Sequence, residues 1–369
     1  MGKNRPVTIE APTREETIAC QFNQWYHTFR NIGSSNNNLD RKSATVRSTI
    51  ISLSRFPDFI TYLLSDGCVL PPFAKSNAFL DTNPDEANDF HDSDQDHQSY
   101  DFEELNDEIE ASIARLGGSV MPKLNWSSPK DASWINRGTL KCHTAGDVFL
   151  LLKSSDFIVH DLLYTVDGVK DGDSNDVEFH LVLRKWCNLY PSMEYRCFVA
   201  HHELVCISQR NHSQYYPYLQ QQKVQIVDDI YSFFSRIVQR NFASGTVDCY
   251  VFDVYIDKSR AVWLLDFNTW SLQTDSLLFQ WDELNLIRCD TEDKSKKFSD
   301  LVSDDGGKER PEIRLVDASK EVHPDPLSSY RAPVDAIDLA ADSTGSNSFA
   351  EFMAMCERPT ANHSFSDED

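Results

Sequence analysis

The stretch from Ser119 to about Trp281 constrains the fold most, because short apolar runs there alternate with polar residues and turn back on each other. VEFHLVLRKW alternates as a half-buried strand does, and EYRCFVAHHELVCISQ predicts a hairpin with polar residues at its turn. VDCYVFDVYIDKSRAVWLLDFN predicts a second hairpin, which turns between Asp257 and Arg260. Strands joined by short turns pair antiparallel, so the sequence predicts an α+β fold rather than a parallel, doubly wound sheet.

Helices are predicted around these strands from apolar residues that recur at helical spacing. The predicted helical segments are 17–30, 53–67, 102–116, 144–163 and 217–242. Gly117 or Gly118 supplies the stop after the third of them, because glycine adopts the left-handed conformation that commonly ends a helix. After Arg288 the pattern weakens, and we expect a charged linker followed by a tail with a few docking points.

The charge of the chain is strongly acidic and unevenly distributed. Lys and Arg number 35 against 58 Asp and Glu, which gives a formal net charge of −23. This balance argues against a general nucleic-acid or anionic-membrane binder, since phosphate backbones require clustered cations. Residues 81–110 hold thirteen Asp and Glu and no Lys or Arg, so their first part, 81–100, predicts a solvated acidic insertion. A site for phosphate in such a chain must concentrate cations locally.

The sequence also indicates the cellular compartment. The N-terminal residues contain no apolar run typical of a secretory signal, and no run approaches the length of a membrane span. The nine cysteines are widely spaced, odd in number and without a C-x-x-C pair, which is typical of reduced thiols. We therefore expect a cytoplasmic protein without a zinc site.

Several common enzyme signatures are missing from the sequence. It contains neither G-x-x-x-x-G-K-[ST] nor G-x-G-x-x-G, and neither G-x-S-x-G nor H-E-x-x-H. The run LDFN at 265–268 is similar to the D-F-G of protein kinases, but H-R-D and the glycine-rich loop are absent. The sequence thus excludes the usual phosphate-loop, kinase, serine hydrolase and zincin patterns.

The second hairpin brings acidic residues together. With Asp257 and Arg260 flanking a two-residue turn, Asp253 lies opposite Leu264 and Asp266 lies opposite Val251. Alternation then places Asp253, Asp266 and Asn268 on one face of the sheet. Two carboxylates and an amide oxygen on a rigid sheet suit Mg²⁺. The alternative is that these acids only make hydrogen bonds within the sheet.

Cations are concentrated in the strands between. Lys123, Arg184, Lys185, Arg196 and Arg210 lie in or beside apolar strands, where a charge is costly without a partner. Arg and Lys bind phosphate oxygens, although each could equally be a surface or ion-paired cation. The loop motif KLNWSSPKD at 123–131 adds an aromatic ring and two hydroxyls that could cover a nucleotide, or Trp126 could belong to the core.

Eight segments that occur in order carry a resemblance to a known family. They are GGSVMPKLNWSSPKDASWI, LKSSDFI, LVLRKWCNL, EYRCFV, ISQRNHSQYY, VFDVY, VWLLDFN and TDSLLF. Together, and with CQFNQWYHTFR and LSSYRAP further out, they resemble the eukaryotic cell division cycle protein 123 family over roughly residues 19–70 and 100–335. The resemblance implies an ATP-grasp fold, in which two α+β lobes with antiparallel sheets enclose a nucleotide cleft.

The resemblance also implies a function and a ligand set. The family assembles eukaryotic translation initiation factor two, binding its gamma subunit and promoting joining with alpha and beta, with no direct nucleic-acid or membrane partner. ATP and Mg²⁺ are the implied cofactors. The residues carried over are Asp253, Asp266 and Asn268 for Mg²⁺, and Lys123, Asn125, Trp126, Ser127, Asp131, Arg184, Lys185, Trp186, Cys187, Arg196, Arg210 and Asp253 for ATP.

A division of the chain follows from the pattern and the resemblance together. We expect a first lobe from 1–80 and 101–170 around the insertion at 81–100, an ATP-grasp lobe with the nucleotide and Mg²⁺ site over 171–288, and a linker and tail over 289–369. Two other functions stay open at this point. One is an ATP-grasp ligase that joins a carboxylate to an amine through an acyl-phosphate, and the other is an acidic scaffold that binds no nucleotide.

Overall fold

The computed structural model describes residues 11–32, 43–67, 70–76, 100–163, 177–298 and 310–318, together with 322 and 324. Almost all of the predicted acidic insertion, the LSSYRAP segment and the last 30 residues lie outside the described residues, as does the predicted boundary at 170–171.

The first lobe is built on a three-stranded antiparallel sheet. Its strands are β1 (Ser48–Ser52), β2 (Val120–Lys123) and β3 (His180–Lys185), and β3 lies in the middle. The helices packed with it are α3 (Pro57–Leu64), α4 (Glu103–Leu116), α5 (Ala145–Lys153) and α6 (Asp156–Leu163). Helix α4 buries the apolar residues that predicted it and ends at Gly117, whose φ of 99° is left-handed as expected.

The second lobe is built on a five-stranded sheet, whose strands lie in the order β7 (Val262–Thr269), β6 (Tyr250–Ile256), β4 (Glu194–Ala200), β5 (Glu203–Gln209) and β8 (Glu312–Arg314). The two predicted hairpins form β4 (Glu194–Ala200) with β5 (Glu203–Gln209) and β6 (Tyr250–Ile256) with β7 (Val262–Thr269). The long helix α7 (Pro217–Phe233) continues through a π-helical turn (Phe234–Val238) into α8 (Gln239–Asn241), and covers one face. The predicted α+β class in two lobes is confirmed, and both sheets are antiparallel except where β8 pairs parallel to β5.

The predicted helix over 17–30 is two helices, α1 (Arg14–Ala19) and α2 (Phe22–Asn31). The chain breaks at Gln21 because its backbone is extended, and the N–H of Phe22 donates to the carbonyl of Asn125 at 2.9 Å. The rings of Trp25 and Phe29 each lie 5.4 Å from the ring of Phe267 on β7. Helix α2 thus joins the core of the second lobe, whereas the sequence division placed it in the first.

The chain after Arg288 is more regular than the sequence predicted. Helix α9 (Trp281–Phe298) runs through the start of the expected linker, and β8 (Glu312–Arg314) adds to the edge of the second sheet, parallel to β5. Arg314 anchors this strand, because its guanidinium donates to Glu283 on α9 at 2.8 Å. The helical pattern of α9 is weak in the sequence, because the later turns of this helix carry mostly charged residues. The sequence therefore did not predict the helix.

Seven cysteines fall within the described residues, and all are free thiols. Cys187 and Cys289 are exposed, and the remaining five are buried like small apolar side chains. In the described part of the chain, none of the helices combines the length and the apolar character that crossing a membrane requires.

Candidate functional site

A cavity of about 810 Å³ lies between the two sheets. The first lobe contributes the loop 128–140 and the end of β3, and the second lobe contributes parts of β4, β6 and β7. Eight of the predicted site residues line it: Arg184, Lys185, Trp186, Cys187, Arg196, Arg210, Asp253 and Asp266. The structure therefore brings together cations and acids that are far apart in the sequence.

The two acids lie opposite each other on neighbouring strands. Asp253 on β6 pairs with Asp266 on β7, and Val251 pairs with Asn268. Directly paired residues of an antiparallel sheet project from the same face, so the predicted convergence of the two aspartates holds. The predicted register was wrong, because it set Asp253 against Leu264 and Asp266 against Val251.

Two features shift the register by one residue each. Together they return the side chains of β7 to the faces that alternation predicted. The turn is longer than two residues, because the N–H of Asp257 donates to the carbonyl of Ala261 at 3.0 Å. A β-bulge then follows, since Val254 pairs with Leu264 but Asp253 pairs with Asp266, which leaves Leu265 unpaired. Without the bulge Asp266 would oppose Phe252, which faces the buried core.

Asp253 is held by two guanidinium groups. Nε and Nη2 of Arg196 donate to its two carboxylate oxygens at 2.8 and 2.9 Å, and Nε of Arg210 donates at 3.1 Å. Burial alone would raise the pKa of this carboxyl, but the charges of Arg196 and Arg210 outweigh burial and hold the pKa well below its usual range. The acid is therefore ionised and already neutralised from within the second lobe.

Asp266 is held from the other lobe. Nζ of Lys123 on β2 donates to Oδ2 of Asp266 at 2.6 Å, and the Lys123 side chain is fully buried behind the cavity. Burial lowers the pKa of Lys123, and the charge of Asp266 acts in the opposite direction. A second link between the lobes runs close by, because Nη1 of Arg184 donates to the carbonyl of Leu265 at 2.9 Å. Lys123 thus contacts the carboxylate platform, which consists of Asp253 and Asp266, and does not itself line the cavity.

Asn125 and Trp126 of the predicted ATP loop make hydrogen bonds that organise the protein itself. Asn125 donates to the carbonyl of Glu178 at 2.9 Å and accepts from the N–H of His180 at 2.7 Å. The indole N–H of Trp126 donates to the carbonyl of Thr17 at 2.9 Å. Neither side chain is among the described residues that line the cavity, so their contact with a nucleotide stays a prediction.

Ser127 and Asp131 tie the same loop to helix α6. The hydroxyl and the N–H of Ser127 both donate to Asp161 at 2.7 Å, and burial raises the pKa of Asp161 to about 6. Asp131 accepts from the hydroxyl of Ser155 at 2.6 Å and from the N–H of Phe157 at 3.2 Å, where the chain passes from α5 to α6. Their roles toward ATP also stay predictions, and what the structure shows is a rigid loop.

The rim of the cavity is the segment that follows β3. The N–H of Trp186 donates to the carbonyl of Ser119 at 3.1 Å, and its indole donates to Asn188 at 2.9 Å. Lys185 and Cys187, on either side of Trp186, are exposed at the cavity edge. A flat ring at a lobe junction is compatible with the predicted nucleotide hinge, and the assignment itself stays a prediction.

Sequence reasoning missed Lys130, Glu194 and Asp275, which also line the cavity. Repulsion by Arg210, together with burial, lowers the pKa of Lys130 to about 7. A signal was available for this lysine, because it is the second cation of the quoted KLNWSSPKD motif. No sequence signal pointed to Glu194, because its place at the cavity depends on where β4 begins.

The donor set fits Mg²⁺ in chemistry. Asp253 and Asp266 place their carboxylates at the cavity from directly paired positions, and carboxylate oxygens are the hard ligands that Mg²⁺ takes. Asn268 follows two positions after Asp266 on β7, but it is not among the residues that line the cavity. The two aspartates would hold the ion, the cations around them would face phosphates, and Asn268 stays a predicted third ligand.

The whole cavity falls within the part of the chain, residues 40–340, that matches the D123 family. This chain belongs to the D123 family. The match spans both lobes and confirms the family resemblance predicted from the eight segments.

Relatives of this D123 chain carry informative names. The "Translation initiation factor eIF2 assembly protein" of Xenopus laevis is 38 % identical over 340 residues, covering 89 % of this chain and 92 % of the relative. The "Cell division cycle protein 123" of Aspergillus terreus is 37 % identical over 284 residues, covering 74 % of this chain and 63 % of the relative. The solved structure of Cdc123 from Schizosaccharomyces pombe is 32 % identical with a TM-score of 0.62, covering 84 % of this chain and 100 % of that chain.

Proposed function

We propose that this chain is an assembly factor for translation initiation factor eIF2 and that it binds ATP together with Mg²⁺. The assembly role is supported by the names of its relatives, which cover most of the chain at 38 % identity. The resemblance of the sequence to the cell division cycle protein 123 family supports the gamma subunit as the direct partner, and the cytoplasm, where translation begins, as the location.

One observation carries the nucleotide part of the proposal. Two aspartates, Asp253 and Asp266, project from directly paired positions into a cavity whose other wall supplies Arg184 and Lys185. Carboxylates bind Mg²⁺, cations bind phosphate oxygens, and the cavity volume of about 810 Å³ is that of a small-molecule site. Few ligands other than a metal-bound polyphosphate require both charges so close together.

Isothermal titration tests the nucleotide part. We expect the full chain to bind Mg–ATP, and we expect Asp266→Asn to abolish binding because it removes a metal ligand. Asp275→Asn is the matched control, because Asp275 lines the same cavity but its carboxylate accepts from the N–H of Leu277. Unchanged affinity in Asp266→Asn would contradict the metal assignment.

Co-purification tests the assembly part. The folded full chain, immobilised with Mg–ATP, should retain the isolated gamma subunit and release a heterotrimer when alpha and beta are added. Failure to retain gamma would contradict the proposal. An ATP-dependent amide product formed in the same reaction would instead favour the ligase alternative.

A further inference from the structure

We propose that Lys123, Arg196 and Arg210 act as internal counterions that exclude a lone divalent cation from the carboxylate platform, so that the metal enters only with a polyphosphate. The inference rests on the proposed function and concerns the regulation of that same site. It follows from what each carboxylate already binds.

Asp253 has both of its carboxylate oxygens engaged. Oδ1 accepts from Arg196 Nε at 2.8 Å, and Oδ2 accepts from Arg196 Nη2 at 2.9 Å and from Arg210 Nε at 3.1 Å. Only 3 % of its side chain is exposed, so water does not compete for these oxygens. A metal that approaches Asp253 meets positive charge before it meets a free oxygen.

Asp266 is engaged on its buried side. Oδ2 accepts from Lys123 Nζ at 2.6 Å, and Oδ1 accepts from the N–H of Phe267 at 3.2 Å. The Asp266 side chain is 21 % exposed and that of Lys123 is 0 % exposed, so the lysine approaches from the interior and the open side faces the cavity. A metal on the open side would lie close to the lysine charge.

The net charge of the residues that line the cavity also favours exclusion of a lone metal. Among the described residues that line it, cationic side chains outnumber carboxylates by one when Lys130 is protonated, and Lys123 behind Asp266 makes the excess two. The cations are Lys130, Arg184, Lys185, Arg196 and Arg210, and the carboxylates are Glu194, Asp253, Asp266 and Asp275.

This excess discriminates between a lone metal and a metal–polyphosphate complex. A lone divalent cation adds to the positive excess in a partly buried site, where like charges repel more strongly than in water. Mg–ATP carries roughly two negative charges and cancels the excess, because its phosphates offer new partners to the guanidinium and ammonium groups. Metal and nucleotide therefore strengthen each other's binding, and the coupling is reciprocal.

The test measures metal binding in the absence of nucleotide. Mn²⁺ is the probe, since it takes the same oxygen ligands as Mg²⁺ and its free form can be counted by electron paramagnetic resonance. We expect Lys123→Met in the full chain to bind Mn²⁺ about tenfold or more tightly than the unaltered chain, because a buried counterion is replaced by an apolar side chain of similar length.

Lys185→Met is the matched control, because it removes one positive charge from the same cavity without touching either aspartate. Equal Mn²⁺ affinity in the unaltered chain and Lys123→Met would overturn the inference, and so would an equal gain in Lys185→Met. Should Lys123→Met not fold, Arg210→Gln replaces it, since Arg210 is partly exposed and also bonds Asp253.

The proposed function and this inference fail in different ways. Absence of Mg–ATP binding by the unaltered chain would contradict the function, while the Mn²⁺ comparison would still decide whether the lysine excludes a lone metal. Binding of Mg–ATP with Mn²⁺ affinities that do not differ between chains would leave the function standing and remove the inference.

Discussion

At the scale of single residues, the two aspartates of the site look alike in sequence but differ in the partners that neutralise them. Asp253 is paired with arginines, which stay protonated at any pH a protein tolerates. Asp266 is paired with Lys123, which can release its proton when its partner is lost, and burial already lowers its pKa. Removal of one acid or the other should therefore have unequal consequences.

We expect Asp253→Asn to lower the free energy of unfolding by about 3–5 kcal/mol, because Arg196 loses its buried counterion and cannot become neutral. Asp266→Asn should cost less, since Lys123 can become neutral instead. Urea unfolding at pH 7 measures both, with Asp275→Asn as the control at the same cavity. Equal losses for the two aspartates would contradict the argument.

If the chain binds Mg–ATP as proposed, we expect Lys130 to make the affinity depend on pH. Its pKa is about 7 in the free protein, chiefly because of Arg210, and nearby phosphates would raise it. Binding should then take up a proton, so the affinity for Mg–ATP is highest below pH 7 and falls as the pH rises through 7 and beyond.

Titration calorimetry from pH 6 to pH 9 checks this, with Lys130→Arg as the matched control because arginine stays charged throughout. The fall in affinity should be smaller in Lys130→Arg. A fall of the same size in both chains would assign the effect to the nucleotide or to another group.

At the scale of elements, the hairpin of β6 and β7 shows how far sequence patterns reach. Alternation correctly placed Asp253 and Asp266 on one face, because a side-chain period of two is dictated by strand geometry. It could not place the bulge at Leu265, which depends on how β7 packs and on the hydrogen bond from Arg184 on the other lobe. Local pattern thus predicts which residues meet, and tertiary contacts decide the register.

Helix α5 carries a second constraint that no local pattern reveals. A Cβ on Gly146 would lie 2.3 Å from the backbone carbonyl oxygen of Lys75, which is far earlier in the chain. Gly146→Ala should therefore destabilise the protein, although alanine in an open helix position stabilises by roughly 1 kcal/mol. Thermal unfolding measures the sign, and a rise in the melting temperature would contradict the close approach.

At the scale of the whole molecule, the net charge of −23 gives no guide to the site. The cavity with Lys123 has an excess of cations, and thirteen of the acids belong to residues 81–110. The composition predicted that a phosphate site would need local cations, and the structure gathers five of them around the cavity. It could not indicate that Asn125 and Ser127 of the predicted loop hold the first lobe together.

The segment just before β1 joins the two lobes through hydrogen bonds to β7, in addition to the ion pair at Asp266. Leu264 donates its N–H to the carbonyl of Ala44 at 2.8 Å, and the hydroxyl of Thr45 donates to the carbonyl of Leu264 at 2.9 Å. Thr45→Val keeps the shape and removes the second bond, so we expect a loss of about 1–3 kcal/mol because both atoms are buried.

Hydrogen exchange should show the Thr45→Val loss in both lobes at once, since Thr45 lies three residues before β1 of the first lobe and bonds β7 of the second. Thr246→Val is the control, because its hydroxyl donates to Ala243 in an exposed turn. Faster exchange confined to one lobe would contradict a shared unfolding unit.

The packing of α2 against β7 has a consequence for how the chain is made. Trp25 and Phe29 emerge near the start of synthesis, yet the ring of Phe267 that they contact follows roughly 240 residues later, or about 12–50 s at the usual pace of translation. The aromatic face of α2 stays without this partner for that interval, and the second lobe cannot complete its core before the hairpin of β6 and β7 leaves the ribosome. A nascent chain that stops before β7 therefore exposes the aromatic face of α2, although every described strand of the first lobe has already been made.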